Sequence, residues 1–315
     1  AGAGDDYVEV DNGQLADTGV VNGDEGDDEL ALWNSFNGGG QVVTADATVT
    51  GVETLTLGNY DDDDGDVDHD IDLDAFDEAL ATIDIVNDAN TSGEDADHEV
   101  HLTNLTTEAI KITSVDSDAG DDVELEVTLK DGSGDDDSLS VTLYGGTELA
   151  PAKFEVDIQD EGAAGNEIEN LALVNDGVGA REVDTSQDFD KSLTVTGNST
   201  SNLRVFNSTS QLVDASAYAG DFTIEVATEQ DYEILTGSGN DVINLLDDDF
   251  TDGDTIDGGA GRDRIIVDKS TALFGAESDE VFNNVENVEE LEVRGSNGGG
   301  GFDVALHDDA FRPGT

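Results

Sequence analysis

Residues 258–266 read GGAGRDRII. The stretch packs three glycines, one aspartate and a closing pair of isoleucines into a chain with 77 Asp and Glu against 11 Lys and Arg. Glycine lets the backbone turn with φ > 0 and bring its carbonyls inward. Asp263 adds a charge, and Ile265 adds a side chain to bury. The nine residues read as a tight corner that feeds a strand.

Comparing the chain with itself shows that the corner recurs. TGSGNDVINL (236–245) superposes on AGAGDDYVEV (1–10), placing Asp241 on Asp6, and DGGAGRDRI (257–265) superposes on NGDEGDDEL (22–30), placing Asp263 on Asp28; both shifts are 235 residues. VENVEELEV (285–293) follows VTGVETLTL (49–57) with one residue of slippage, and DAF at 309–311 returns DAF at 74–76. The chain therefore reads as about one and a third copies of a longer unit. Both ends fall inside repeat sequence, which leads us to expect a segment of a longer tandem array, where repetition serves length and avidity more than catalysis. The N-terminus has neither the basic region nor the apolar run of a signal peptide.

The net charge of -66 would repel nucleic acid and anionic lipid, so we expect no nucleic-acid partner. No apolar run is long enough for a membrane-spanning helix, and we expect no membrane insertion. There is no cysteine, which removes disulfides and thiolate metal sites. Such acidity is also a signature of disorder. Against disorder stands the strict alternation of VELEVTLK (123–130) and SLSVTLY (138–144), the period of half-buried strands. Joined by DGSGDDD (131–137), these two predict an antiparallel hairpin in a sandwich-like unit. From about 190, LTVT, LRVF, QLVDAS, FTIEVA and YEIL recur about every ten residues and run into the glycine corners, as in a solenoid. DAFDEALATI (74–83) is the one stretch that could be helical. The expected fold is all-β: β-solenoid or β-roll segments at 1–60 and 186–295, a β-sandwich-like region at 61–185, and the start of a further unit at 296–315.

The corners match the nonapeptide G-G-x-G-x-D-x-U-x, U being a large apolar residue, a calcium-binding solenoid repeat. GGAGRDRII fits every fixed position, TGSGNDVIN and AGAGDDYVE each miss one glycine, and GDEGDDELA (23–31) misses the second. Calcium takes six to eight oxygens in loose geometry, which suits turn carbonyls plus one aspartate from each of two stacked corners better than magnesium would. Asp6 and Asp28 are 22 residues apart, as are Asp241 and Asp263, a spacing that stacks each pair across one coil of two strands and two turns. The expected ligands are Asp6, Asp28, Asp241 and Asp263, with main-chain oxygens near Gly2, Gly4, Gly26, Gly237, Gly239, Gly259 and Gly261. The alternative is glycine turns with solvated aspartates. The loop at 131–137 is equally readable as a calcium site or a solvated tip.

Other chemistry is weakly signalled. HEVH (98–101) lacks the second histidine of HExxH, since Leu102 stands there, and His98 and His101 read as surface strand residues. Carboxylates are too abundant to single out an acid/base pair. Trp33 reads as core.

GGAGRDRII and TGSGNDVIN resemble the nonapeptides of the repeats-in-toxin (RTX) family, while LVDASAYAGDFTIEVA (212–227) and NVENVEELEV (284–293) resemble calcium-dependent, type I secreted bacterial surface-layer proteins. The resemblance covers about 190–293 and the copy at 1–57. It implies a non-enzymatic, extracellular cell-surface protein that folds on meeting millimolar calcium and self-associates through divalent cations into a lattice or filament. A stalk of a large RTX adhesin, or the folding module of a secreted hydrolase, is the alternative.

Overall fold

The computed structural model describes residues 2–11, 15, 19–34, 42–59, 67–87, 98–106, 111–116, 122–130, 136–145, 152–158, 168–177, 179–185, 189–226, 230–245, 250–268, 282–294 and 302–305. It divides into two compact units, 1–168 with 177–181, and 169–176 with 182–315.

The first unit holds β1 (Tyr7–Asp11), β2 (Val20–Asn22), β3 (Glu29–Asn34), β4 (Val42–Val43), β5 (Thr48–Thr50), β6 (Thr54–Asn59), β7 (Val67–Asp72), β8 (Thr82–Asn87), β9 (His98–Leu105), β10 (Lys111–Asp116), β11 (Asp122–Leu129), β12 (Ser138–Gly145) and β13 (Ala152–Ile158). One sheet runs β1-β3-β6-β8-β10-β12 and the other β13-β11-β9-β7-β4, with β2 and β5 forming a separate pair. The second unit holds β14 (Asn170–Asn175), β15 (Arg181–Asp184), β16 (Ser192–Thr196), β17 (Leu203–Ser208), β18 (Leu212–Asp214), β19 (Phe222–Val226), β20 (Glu233–Leu235), β21 (Val242–Leu245), β22 (Thr255–Asp257), β23 (Arg264–Asp268), β24 (Val285–Glu286), β25 (Glu290–Arg294) and β26 (Phe302–Ala305). Its sheets run β14-β16-β18-β20-β22-β24 and β15-β17-β19-β21-β23-β25-β26.

Within each unit most successive strands thus go to opposite sheets and pair in parallel with the one two places on; in the first unit β3 pairs instead with β6, β4 with β7 and β2 with β5, also in parallel. Among the described residues the antiparallel pairing is that of β26 on β25. This all-β, parallel architecture is compatible with a β-solenoid.

Period-2 sequence dictates the core. Inward residues stack in register as aliphatic columns: Ile224, Ile243, Ile265 and Leu291 across β19, β21, β23 and β25, and Val100, Leu125 and Val156 across β9, β11 and β13. All are buried. Each fully covered aliphatic side chain contributes about 1.5–3 kcal/mol relative to exposure, so these columns hold the coils on one another.

The structure corrects four expectations. VELEVTLK and SLSVTLY do not form an antiparallel hairpin: β11 pairs in parallel with β9 and β13, and β12 in parallel with β10 in the opposite sheet. Alternation specifies which face is buried but not strand direction. The connecting 131–135 lie outside the described residues. DAFDEALATI is not helical. A single 3-10 turn, Leu73–Ala75, is capped by the Asp72 carboxylate, which accepts the Asp74 N–H, and it ends at Phe76 in an extended conformation; β8 follows. Leu73, Ala75, Leu80, Ile83 and Ile85 are the buried members, and tertiary burial here outweighs helix propensity.

His98 is not a surface residue. It and His69 are fully buried on the inner face of β9 and β7, their rings edge-to-face with centroids 5.0 Å apart. HEVHL alternates, so His98 shares the inward face with Val100 and Leu102, while His101 faces out between Asp70 and Glu126 at 2.9 and 3.1 Å. Trp33 is only half-buried; its indole N–H donates to the Tyr7 hydroxyl at 3.2 Å, and its ring covers Gly58.

Burial lowers the pKa of His69 to about 4 and drives that of His98 well down. Both are neutral in the fold, and the unfolded chain takes up protons below about 6.5. These two histidines therefore take stability from the first unit as pH falls from about 6.5 towards 4. Replacing His98→Leu should remove part of that loss in urea denaturation at pH 7 and pH 4.5; an unchanged pH dependence would exclude His98 as a source of it.

Candidate metal centre

The glycine corners stack more tightly than any side chain allows. A Cβ on Gly261 would fall 1.7 Å from the Gly239 carbonyl oxygen, and one on Gly239 would fall 2.3 Å from that of Gly220. Gly259 leans on the Gly237 carbonyl in the same way, at 2.1 Å, and Gly26 on that of Gly4, at 2.3 Å. Gly261 also holds φ +142°, a conformation side chains disfavour. Gly2 and Gly4 have open space around them.

The four predicted aspartates are brought together in the predicted pairs. Asp28 Oδ1 accepts the Asp6 N–H, and Asp263 Oδ1 accepts the Asp241 N–H, each at 2.8 Å. The columns continue on both sides in ways the sequence reading missed. Glu53 Oε2 accepts the Asp28 N–H at 2.7 Å, and Glu289 Oε2 the Asp263 N–H at 2.8 Å; Asp241 Oδ1 in turn accepts the Phe222 N–H at 2.8 Å. Two bonds of the column thus recur in the second copy, aspartate to aspartate and glutamate to aspartate, the glutamates being 236 residues apart. The signal was present in VTGVETLTL and VENVEELEV, but their lack of the glycine pattern hid it. Beside these columns runs an exposed one, in which Asp5 accepts the Asp27 N–H and Asp221 the Asn240 N–H.

Electrostatically the inner columns are unsettled. Asp28, Asp241 and Asp263 are almost wholly buried, and the Oδ2 of Asp28 and of Asp263 has no hydrogen-bond partner among the described residues, whereas the Thr236 side chain and the Gly237 amide steady the Asp241 carboxylate. Burial pushes the carboxyl of Asp263 up to about 7 and raises that of Asp241. A buried carboxylate oxygen without a partner demands a proton or a cation. Asp6 differs: it is partly exposed, and its Oδ2 accepts the Gly2 N–H at 2.8 Å. Among the described residues no three His, Asp or Glu side chains gather as a metal cluster. A cation at these corners would need main-chain carbonyls beside two carboxylates.

Asp254, on the opposite turn, is the internal contrast. It is equally buried, yet Oδ1 accepts the Tyr232 N–H at 2.8 Å and Oδ2 the Thr251 N–H at 2.6 Å. Asp254→Asn replaces one acceptor with a donor facing an N–H, and should cost about 1–3 kcal/mol with or without divalent cations. Asp263→Asn retains the acceptor for Asp241 and discharges an unpartnered oxygen, so in chelator at pH 8 it should stay within about 1 kcal/mol of the parent. Urea denaturation of both variants checks this, and equal losses would overturn it.

The outer face of the first unit is also charge-stressed. Asp68, Glu99, Glu124 and Glu155 lie in register on β7, β9, β11 and β13, neighbouring strands being about 4.8 Å apart. Partial burial, then Asp68 beside it, raises the Glu99 carboxyl to about 7. No family model, curated protein or solved structure matches this chain.

Proposed function

We propose that the chain is a non-enzymatic, calcium-stabilised structural segment: a β-solenoid of the cell exterior that self-associates into a surface layer or filament. The observation that carries this reading is the pair of buried, unpartnered carboxylate oxygens on Asp28 and Asp263, each in a glycine corner lined by carbonyls. The donor set fits calcium, which accepts carboxylate and carbonyl oxygens together. Asp6 with Asp28, and Asp241 with Asp263, would hold the ions, assisted by carbonyls of Gly2, Gly4, Gly26, Gly237, Gly239, Gly259 and Gly261. A bound cation supplies the positive charge that these carboxylates lack.

Charge sets the condition for assembly. At -66, two copies repel unless cations neutralise or screen their faces. In-register acids such as Asp68, Glu99 and Glu124 concentrate that repulsion. Negative-stain imaging and sedimentation should find ordered assemblies in millimolar calcium and dispersed particles in chelator at low salt. Assemblies that persist in chelator would overturn the reading, as would dispersed particles in calcium.

A further inference from the structure

The second glycine corner of each pair is followed, one coil later, by a corner of a different kind. Gly51-Val52-Glu53 and Asn287-Val288-Glu289 begin with a residue in the left-handed region, φ +59° at Gly51 and +55° at Asn287. The valine is buried in each, and the glutamate reaches back to the amide of Asp28 or Asp263. The same main-chain bonds fasten both: Gly23 N–H to the Thr50 carbonyl at 2.8 Å, and Gly258 N–H to that of Glu286 at 3.0 Å. The chain therefore builds this corner twice from different residues, retaining the valine and the glutamate.

The space it closes is lined with oxygen. A Cβ on Gly23 would sit 1.7 Å from the Gly51 carbonyl oxygen and 2.4 Å from Asp28 Oδ2, the buried oxygen without a partner. A Cβ on Gly258 would sit 2.1 Å from the Asn287 carbonyl oxygen and 2.9 Å from Asp263 Cβ. At Gly23 the cradle thus brings together a main-chain carbonyl, an aspartate oxygen without a partner among the described residues and, one hydrogen bond away, a glutamate; at Gly258 it sets the Asn287 carbonyl against the root of the Asp263 side chain. An amide cap alone explains the glutamate's bond to the N–H; it does not explain why the neighbouring Asp28 and Asp263 oxygens are buried without partners.

We infer that the glutamate corner is a second wall of the cation site, with Glu53 and the Gly51 carbonyl serving Asp28, and Glu289 and the Asn287 carbonyl serving Asp263. Each column then holds a cation on the far side of its central aspartate, beyond the glycine corners themselves. This rests on the proposed calcium reading and adds to it a ligand type that the glycine pattern does not contain.

Glu53→Gln and Glu289→Gln separate the roles, because glutamine keeps an acceptor for the aspartate amide and removes the charge. Calcium titration by calorimetry and melting curves in calcium and in chelator should be run on the full chain and the double variant. The inference expects the double variant to bind the tightest class of calcium at least ten-fold more weakly while melting like the parent in chelator. Wild-type affinity and stoichiometry in the variant would overturn the inference and leave the calcium reading standing. An equal drop in melting temperature in calcium and in chelator would likewise reduce the glutamates to structural caps. A parent chain whose melting ignores calcium would bring down both.

Discussion

Chelating calcium is expected to lower the melting temperature by about 10 °C or more. An ion present at about 1,000 times its dissociation constant adds about 4 kcal/mol to the state that binds it, and for a unit of this size each kcal/mol moves the midpoint by about 2–4 °C. The chain offers two such columns, at Asp6–Asp28 and Asp241–Asp263. Without a cation, the buried Oδ2 atoms of Asp28 and Asp263 meet the low dielectric of the corner with nothing to balance them. General screening would also help a chain of charge -66, so the comparison must be made at fixed ionic strength. Calorimetric scans in calcium, in magnesium and in chelator with matched potassium chloride should rank calcium first. Identical scans in calcium and chelator would remove the metal from the account.

The second large effect is steric. Gly261→Ala should destabilise the second unit by about 3–5 kcal/mol, combining a left-handed backbone conformation with an atom forced into a carbonyl. The added Cβ would lie 1.7 Å from the Gly239 oxygen, in a column whose Gly239 is itself pinned against Gly220. Backbone, unlike a flexible side chain, cannot swing away. Gly2→Ala is the matched control: nothing lies within 4 Å of its added atom, and its stability should stay within about 0.5 kcal/mol of the parent. Urea midpoints measure both. A Gly261→Ala protein as stable as the control would mean that the corners do not pack this closely.

The opposed titrations of the buried histidines and of Asp263 bear on how such a protein responds to acid. His69 and His98 disfavour the fold as pH falls, because burial holds them neutral. In the cation-free state Asp263 acts in the opposite sense: its folded value of about 7 lies above the unfolded one, so the fold binds more protons and loses stability as pH rises from about 4 to 7.

Much of this was readable from residue order alone. The 235-residue repeat, the pairing of Asp241 with Asp263, the burial of Ile243 and Ile265 and the all-β class follow from local periodicity and from the spacing of 22, because a coil of constant length must bring equivalent residues into register. Strand direction at 123–144 did not follow, since alternation is the same in a hairpin and in stacked coils. The fate of 74–83 did not follow either, because burial of Leu73, Ala75 and Ile83 overrode a helical composition. Only the tertiary structure revealed Glu53 and Glu289 as the next members of the carboxylate columns, and only it separated Asp254, doubly hydrogen-bonded, from Asp28 and Asp263, whose outer oxygens lack partners. The physical reason is that a sequence specifies which groups are polar and how often they recur, whereas whether a buried polar atom is satisfied depends on what the neighbouring coil places within 3 Å of it.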